Sequence, residues 1–153
     1  DGDIAEHKLL KDLGPEPLSE MFTADYLFEK SRKRTQAVKQ FLMDSHTVVA
    51  VGNIYANESL FMAGIKPIRK AGALTRAQCE LLVEKVKFVL ARSIEQGGTT
   101  LRDFVGGDGK PGYFKQQLLV YGRGGEPCVS CKKPLKEVRM NDRTTVYCVS
   151  CQR

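Results

Sequence analysis

The chain has 153 residues, 42% of them hydrophobic and 27% charged, which is the composition of a soluble globular protein. This length suffices for one ordinary core and a small appendage stabilised by a metal. No apolar run approaches the roughly 20 residues that a membrane span requires, so a transmembrane function is excluded and no membrane partner is expected. The net charge of +6 favours a nucleic-acid partner, although a basic surface without a polyanion partner is the simpler alternative.

The N-terminal third combines a linker-like start with two predicted helices and a basic cluster. Residues 1–18 contain Gly14-Pro15-Glu16-Pro17 and are predicted to be a linker. Thr23 is predicted to cap a helix that ends at about Ser31, and a second helix is predicted over 36–43. The cluster Lys30-Ser31-Arg32-Lys33-Arg34 lies between them. Such a charge run is either a solvated face or a phosphate-binding surface, and the sequence leaves both open.

Gly52 and Asn53 mark a helix start with the chemistry of an anion site. The apolar positions that follow predict a helix over 53–63, ended by Gly64. With Asn53 as the capping residue, the first turn presents backbone N–H groups and a partial positive charge, which suit a phosphate. Plain helix capping without a ligand is the alternative.

The longest predicted helix spans about 76–96 and is capped by Thr75. Cys79 lies on its apolar stripe, so we predict that it is a buried, reduced core residue. The chain that follows is rich in glycine. Its segment from Gly106 to Gly112 is either a mobile loop that closes on a ligand or a plain surface loop.

Two Cys-x-x-Cys pairs, separated by sixteen residues, close the chain. This spacing predicts a tetrahedral structural zinc site with the ligands Cys128, Cys131, Cys148 and Cys151. Four sulfur ligands leave no open position for a catalytic water, so the one Zn²⁺ has a structural role only. Two disulfides or two redox dithiols are the alternative. They fit poorly because no secretory signal is recognisable and Cys79 is left over.

The residues between the cysteine pairs predict two short strands around a turn at Asn141-Asp142. Pair, hairpin and pair together form a zinc ribbon, in which metal ligation supplies the folding energy. Arg143 follows the turn, where its guanidinium either reaches a nucleic-acid backbone or remains solvated. We therefore predict a mainly α fold with a linker at 1–18, a helical domain at 19–122 and a zinc ribbon at 123–153.

Several stretches, in the same order along nearly the whole chain, resemble the formamidopyrimidine-DNA glycosylase family, bacterial enzymes that excise oxidised purines such as 8-oxoguanine. The stretches are Leu13-Gly-Pro-Glu-Pro-Leu18, Val51-Gly-Asn-Ile-Tyr-Ala-Asn-Glu-Ser-Leu-Phe61, Ser93-Ile-Glu-Gln-Gly-Gly-Thr-Thr-Leu101, Asp108-Gly-Lys-Pro-Gly-Tyr-Phe114, Tyr121-Gly-Arg123 and the four-cysteine ribbon. The endonuclease VIII group, which prefers oxidised pyrimidines, shares the architecture. The Gly-Lys-Pro-Gly-Tyr-Phe and Gly-Gly-Thr-Thr-Leu stretches favour the purine enzymes.

The resemblance implies a helix–two-turns–helix module beside the zinc ribbon, and both grip a bent, damaged duplex while the lesion nucleotide is flipped out. Asn53, with Gly52 before it, matches the phosphate-binding asparagine of the family. Arg34 and Lys39 match basic positions along the DNA backbone. Arg143 matches the ribbon arginine that contacts phosphates at the lesion and is assigned to the δ-elimination. The loop that folds over the flipped 8-oxoguanine is matched by Lys110, Gly112, Tyr113 and Phe114.

The resemblance also implies a bacterial, cytoplasmic, monomeric enzyme of base-excision repair that combines glycosylase activity with β,δ-elimination at abasic sites. The family nucleophile is an N-terminal proline amine in a catalytic domain, whereas this chain begins Asp1-Gly2. We therefore expect the DNA-binding C-terminal part of such an enzyme, which binds zinc and DNA but forms no Schiff base by itself. A stand-alone zinc-ribbon module that binds nucleic acid, and an interaction domain whose ribbon binds protein, are the alternatives.

Overall fold

A computed structural model describes residues 13–95 and 118–153 of the chain. Within these ranges the elements are four α-helices, one antiparallel hairpin and a short 3-10 turn at Ala71–Ala73. In chain order they are α1 (Ala24–Ser31), α2 (Val38–Met43), α3 (Asn53–Ala63), α4 (Arg76–Glu95), β1 (Lys136–Met140) and β2 (Arg143–Tyr147). The predicted mainly α fold followed by a small hairpin is confirmed. None of the helices in these two ranges has the length and apolar character needed to cross a membrane.

Local capping chemistry sets the ends of the helices. The Thr23 hydroxyl accepts a hydrogen bond from the Tyr26 amide at 3.1 Å, which satisfies one N–H group at the start of α1. At the start of α4, the Thr75 hydroxyl accepts from the Gln78 amide at 3.1 Å, and Gln78 Oε1 accepts from the Thr75 amide at 3.0 Å. Gly64 ends α3 in the left-handed conformation, with φ at 74°. These predicted starts and this predicted stop are confirmed.

The start of α3 differs from the expected capping by Asn53. Gly52 occupies the N-cap position in an extended conformation, Asn53 is the first helical residue, and no side chain caps this end. The Asn53 side chain instead donates from Nδ2 to the Thr144 carbonyl of the hairpin at 3.0 Å. The local capping preference of asparagine is therefore overridden by a partner that is distant in the sequence.

The helices enclose a hydrophobic core to which all four contribute. Leu27 of α1, Phe41 of α2, Leu60 of α3 and Leu82 of α4 are fully buried in it. Cys79 is buried in the same cluster, and this burial raises the pKa of its thiol to about 11. A neutral, inaccessible thiol is a packing group, so the prediction that Cys79 is a buried core residue is confirmed.

The last residues of the predicted linker pack against the loop between α2 and α3. The Gly14 amide donates to the Ser45 carbonyl at 2.8 Å, and the Val49 amide donates to the Pro15 carbonyl at 3.1 Å. A side chain at Gly14 would place its Cβ 2.2 Å from the Thr47 carbonyl oxygen, so the approach requires glycine. Residues 14 and 15 are thus bound to the helical part, and the domain boundaries at 18 and 122 stay predictions.

A second, smaller core joins the ribbon to the helices. Its buried members are Phe61, Val120, Cys128, Leu135, Val146 and Cys148. Phe61 belongs to α3, so the hairpin packs directly against that helix. Because few apolar side chains are buried here, this second core by itself contributes little to the stability of the ribbon.

Candidate nucleic-acid interface and metal centre

The four C-terminal cysteine sulfurs converge on one point. The Sγ atoms of Cys128, Cys131, Cys148 and Cys151 all lie within 4.8 Å of one another. Two of the separations are 3.8 Å, between Cys128 and Cys151, and 3.4 Å, between Cys131 and Cys148. These distances exceed a disulfide bond of about 2.05 Å. A tetrahedron with metal–sulfur bonds of about 2.3 Å has edges of about 3.8 Å, so the cluster fits a four-coordinate metal such as zinc.

Backbone N–H groups prepare these sulfurs for a cation. The Ser130 amide donates to Cys128 Sγ at 3.4 Å, and the Cys151 amide donates to Cys148 Sγ at 3.3 Å. Burial raises the pKa of Cys128, but the backbone hydrogen bonds from Cys131 and Ser130, together with side-chain hydrogen bonds from Cys148 and Cys151, outweigh it and lower the pKa to about 7. The thiolate is the form that binds a metal, so the local backbone favours ligation.

A buried glutamine attaches the second cysteine pair to the end of α3. Gln152 is 1% exposed. Its Oε1 accepts from the Cys148 amide at 2.7 Å, and its Nε2 donates to the Ile65 carbonyl at 2.8 Å. The Arg153 amide also donates to the Gly64 carbonyl at 2.8 Å. The metal centre is therefore connected to the helix whose opposite end carries Asn53.

A groove of about 410 Å³ lies between α2 and the tip of the hairpin. Side chains from both elements and their flanks line it, namely Gln36, Lys39, Gln40, Met43, Asp44, Met140, Asn141 and Arg143. Two cations and three neutral amides face one carboxylate in this lining. The lining therefore carries a small net positive charge, which favours an anionic ligand.

Arg143 begins β2 and lies on the rim of this groove. The two turn residues before it, Asn141 and Asp142, have positive φ angles of 51° and 62°, as a tight hairpin with the right-handed strand twist requires. Met140 pairs with Arg143 as the last register position of the hairpin. The Arg143 side chain is exposed, so a fixed backbone holds a guanidinium that an anion can reach.

Asn53 approaches the same strand from α3. Its Nδ2 donates to the carbonyl of Thr144, the residue that follows Arg143. The structure therefore brings together Asn53 and Arg143, the two residues that are predicted to contact phosphates. Gly52 is exposed beside them, and open space surrounds the position that a side chain would occupy, so a ligand can approach the helix start closely.

Lys39 faces the hairpin rather than open solvent. It is 2% exposed, and its Nζ donates to Thr145 Oγ1 at 2.7 Å and to the Thr144 carbonyl at 3.3 Å. Burial and the nearby charge of Arg143 lower the pKa of Lys39 to about 8. The expected contact of Lys39 with a DNA backbone stays a prediction, and its observed bonds connect α2 to β2.

Arg34 is exposed at the end of the basic cluster, where its Nε donates to the Lys30 carbonyl at 3.4 Å. The pKa of Asp44 in the groove is lowered, chiefly by hydrogen bonding to the His46 amide and to a smaller extent by the charge of Arg34. Arg34 therefore acts electrostatically on the groove, and its contact with DNA stays a prediction. The predicted lesion-loop residues lie outside the described residues, and they are Lys110, Gly112, Tyr113 and Phe114.

Sequence reasoning missed two buried polar residues in the middle of α3, Asn57 and Glu58, which are 1% and 2% exposed. The Glu58 carboxylate accepts from the amides of Leu119 at 2.7 Å, Val120 at 2.9 Å and Tyr121 at 2.8 Å. Burial raises the pKa of Glu58, and these three donors oppose the rise. An Asn-Glu pair inside an apolar helix could have indicated these contacts, since such polar side chains are buried only when they have hydrogen-bond partners.

A family model described as the H2TH domain of formamidopyrimidine-DNA glycosylase matches residues 13–105 of the chain. The chain belongs to this H2TH family. Among its curated H2TH relatives, the formamidopyrimidine-DNA glycosylase of Cellvibrio japonicus is 78% identical over 152 residues, which make up 99% of this chain and 56% of the relative. The chain spans about half the length of the curated relatives it matches.

Solved structures of H2TH glycosylases share the fold of this chain. The MutM (Fpg) protein from Thermus thermophilus has a TM-score of 0.85 and 40% identity, covering 99% of this chain and 57% of that one. The Lactococcus lactis Fpg in complex with a Fapy-dG containing DNA has a TM-score of 0.84 and 32% identity, covering 99% of this chain and 55% of that one. The similarity extends over helices and ribbon together, and the predicted resemblance to this family is confirmed.

Proposed function

We propose that this chain is the DNA-binding C-terminal part of a base-excision-repair glycosylase that removes oxidised purines, including 8-oxoguanine and formamidopyrimidines. The observation that carries the proposal is the contact of Asn53 with the residue after Arg143, at the rim of a basic groove. Damaged double-stranded DNA is the partner. The complex of the Lactococcus lactis relative with a Fapy-dG containing DNA supports this assignment.

Each predicted site residue has a place in this proposal. The first turn of α3, from Gly52 and Asn53, receives a backbone phosphate, because its N–H groups and helix dipole favour an anion. Arg143 donates to phosphates at the lesion, where a guanidinium bonds two oxygens at once. Arg34 extends the basic surface along the backbone, and Lys39 adds its charge from beneath the groove. The lesion loop, with Lys110, Gly112, Tyr113 and Phe114, covers the flipped base.

One structural Zn²⁺ is the cofactor, held by Cys128, Cys131, Cys148 and Cys151. The convergence of the four sulfurs within 4.8 Å supports this assignment. Four thiolates saturate a tetrahedral zinc ion, so the metal stabilises the hairpin that presents Arg143 and takes no part in the reaction.

The intact enzyme combines glycosylase and abasic-site lyase activities, and an N-terminal catalytic domain supplies the amine nucleophile. Covalent attack by such an amine on the sugar produces a Schiff base, from which β- and δ-elimination cleave the strand. Arg143 serves the δ-elimination at the lesion phosphates. We place this enzyme in the bacterial cytoplasm as a monomer.

Replacing Arg143 with alanine is expected to weaken binding to an 8-oxoguanine duplex about tenfold or more, because a hydrogen bond between charged groups is lost. The slope of log K against log salt is expected to fall by about 0.9 for each phosphate contact removed. Fluorescence anisotropy across a salt series measures both quantities. Lys136→Ala is the matched control, since it removes one exposed positive charge from the other strand, at the end of the hairpin away from the turn. A wild-type salt slope near zero contradicts the proposed function.

Residues 1–153 alone are expected to give no covalent adduct with an 8-oxoguanine or abasic duplex under borohydride reduction. The reason is that the proline amine of the family lies outside these residues, so no Schiff base is available for reduction. A full-length family member serves as the positive control, and denaturing electrophoresis separates the adduct from free protein. A strong adduct with the 153-residue chain would show that a nucleophile is present within it.

A further inference from the structure

The outer edge of β2 is bonded to a side chain instead of a strand. In the two-stranded hairpin, β2 pairs with β1 on one side, so the Thr144 carbonyl and the Val146 amide project from the other side. Asn57 of α3 bonds to both groups, and the Thr144 carbonyl also accepts from Asn53 and Lys39. Its Oδ1 accepts from the Val146 amide at 2.8 Å, and its Nδ2 donates to the Thr144 carbonyl at 3.3 Å. A residue of a neighbouring parallel strand would likewise accept from the Val146 amide and donate to the Thr144 carbonyl. The Asn57 side chain therefore bonds to β2 in the way that a parallel strand would.

This contact is sealed from water. Asn57 and Val146 are each 1% exposed, and Thr145 between the two bonded positions is fully buried. A buried amide N–H that loses its acceptor is not compensated by solvent. The carboxamide of Asn57 therefore holds the Val146 end of this stretch of β2 against α3, and Asn53 bonds to the Thr144 end.

The same carboxamide connects Asn53 with the strand of Arg143, the two residues that we propose bind phosphate. Asn57 Nδ2 also donates to the Asn53 carbonyl, one turn earlier on α3, at 2.8 Å. Asn53 in turn donates to the Thr144 carbonyl, next to Arg143. Asn57 is thus the one residue in the described chain that bonds both to Asn53 and to the strand beginning with Arg143.

We propose that Asn57 is a positioning residue, whose carboxamide takes the place of a third strand along β2 and so fixes Arg143 relative to Asn53. The inference rests on the proposed function, in which both residues bind phosphate. Asn57 contacts no DNA in this arrangement, because it is buried. Its effect on binding is transmitted through the position of Arg143.

A double-mutant cycle tests the transmission. Asn57→Ala in the zinc-loaded chain is expected to weaken duplex binding about tenfold, within the range of coupling between contacting residues. In the Arg143→Ala background the same change is expected to have little further effect. Equal losses in both backgrounds would overturn the proposal, because a side chain that merely stabilises the fold acts without regard to Arg143.

Amide hydrogen exchange and NMR relaxation of the zinc-loaded chain test the same inference without DNA. Asn57→Ala is expected to speed exchange of the Val146 amide and to lower the order parameter of the Arg143 amide. Gln78→Ala, which removes a helix carboxamide that bonds to the Thr75 amide and not to β2, is the matched control and is expected to leave both unchanged. Unchanged values in Asn57→Ala would overturn the inference even if the wild type binds DNA.

Asn57→Leu is close to asparagine in size and removes both hydrogen bonds to β2 without leaving a cavity, which provides a test if the alanine variant does not fold. It is expected to speed exchange of the Val146 amide and to show no coupling to Arg143. Slow exchange at Val146 in this variant would contradict the assigned hydrogen bond. If the wild-type chain does not bind duplex DNA, the proposed function fails, and the exchange and relaxation data still decide the role of Asn57.

Discussion

Replacing Cys148 with serine is expected to unfold the ribbon and to abolish salt-dependent duplex binding, the largest effect we predict. Cys148 is fully buried, and its backbone bonds to Gln152, which in turn bonds to the end of α3. A structural zinc site in a small domain contributes about 10 kcal/mol or more of folding free energy. The small apolar core of the ribbon cannot replace a contribution of that size. Zinc content by atomic emission and the NMR spectrum of residues 123–153 measure the loss.

Cys79→Ala is the matched control for this experiment. Cys79 is buried in the helical core, outside the sulfur cluster, so its replacement is expected to leave one zinc per chain and an intact hairpin. Because the helices have a core of their own, most of the helical circular dichroism is expected to survive in Cys148→Ser. A Cys148→Ser chain that keeps stoichiometric zinc and a folded hairpin would refute the structural role of the metal.

Replacing Glu58 with alanine is expected to lower the free energy of unfolding by about 3 kcal/mol, since one buried and two partly buried N–H groups lose their acceptor at about 1–3 kcal/mol each. Those groups belong to Leu119, Val120 and Tyr121, which lead into the ribbon. Typical domains have only about 5–15 kcal/mol of stability, so such a loss is a large share of the total. Urea denaturation of the zinc-loaded chain measures it.

Two further variants separate the buried acceptor from a general effect of removing a carboxylate. Glu84→Ala removes an exposed glutamate that pairs with a surface lysine, Lys85, and a loss of about 0–1 kcal/mol is expected. Glu58→Gln keeps one carbonyl acceptor and is expected to lie between the wild type and Glu58→Ala. A change in Glu58→Ala no larger than in Glu84→Ala would mean that Glu58 does not anchor residues 119–121.

Local chemistry made several elements predictable. The hydroxyls of Thr23 and Thr75 accept hydrogen bonds from N–H groups in the first turns of α1 and α4, as predicted for capping residues. Gly64 takes the left-handed conformation that ends α3. These interactions join residues within one turn of each other, so their energies are readable from neighbouring residues. The predicted cap at Asn53 failed for the complementary reason, because Thr144 offered its side chain a better partner.

The sequence by itself determined most of the helix limits, the hairpin turn and the four-cysteine set, because each depends on spacing along a short stretch of chain. The start of α2 is an exception, since the helix begins at Val38 and not at residue 36 as predicted, and no side chain caps it. Only the tertiary structure decided what the polar side chains of α2 and α3 do. Lys39 and Thr145 are 106 positions apart, and Asn57 and Val146 are 89 apart, so no local pattern indicates that they bond. A buried donor or acceptor must find a partner wherever the fold supplies one. For Lys39 and Asn57 that partner is β2, and the result is a hairpin that carries Arg143 to the start of α3.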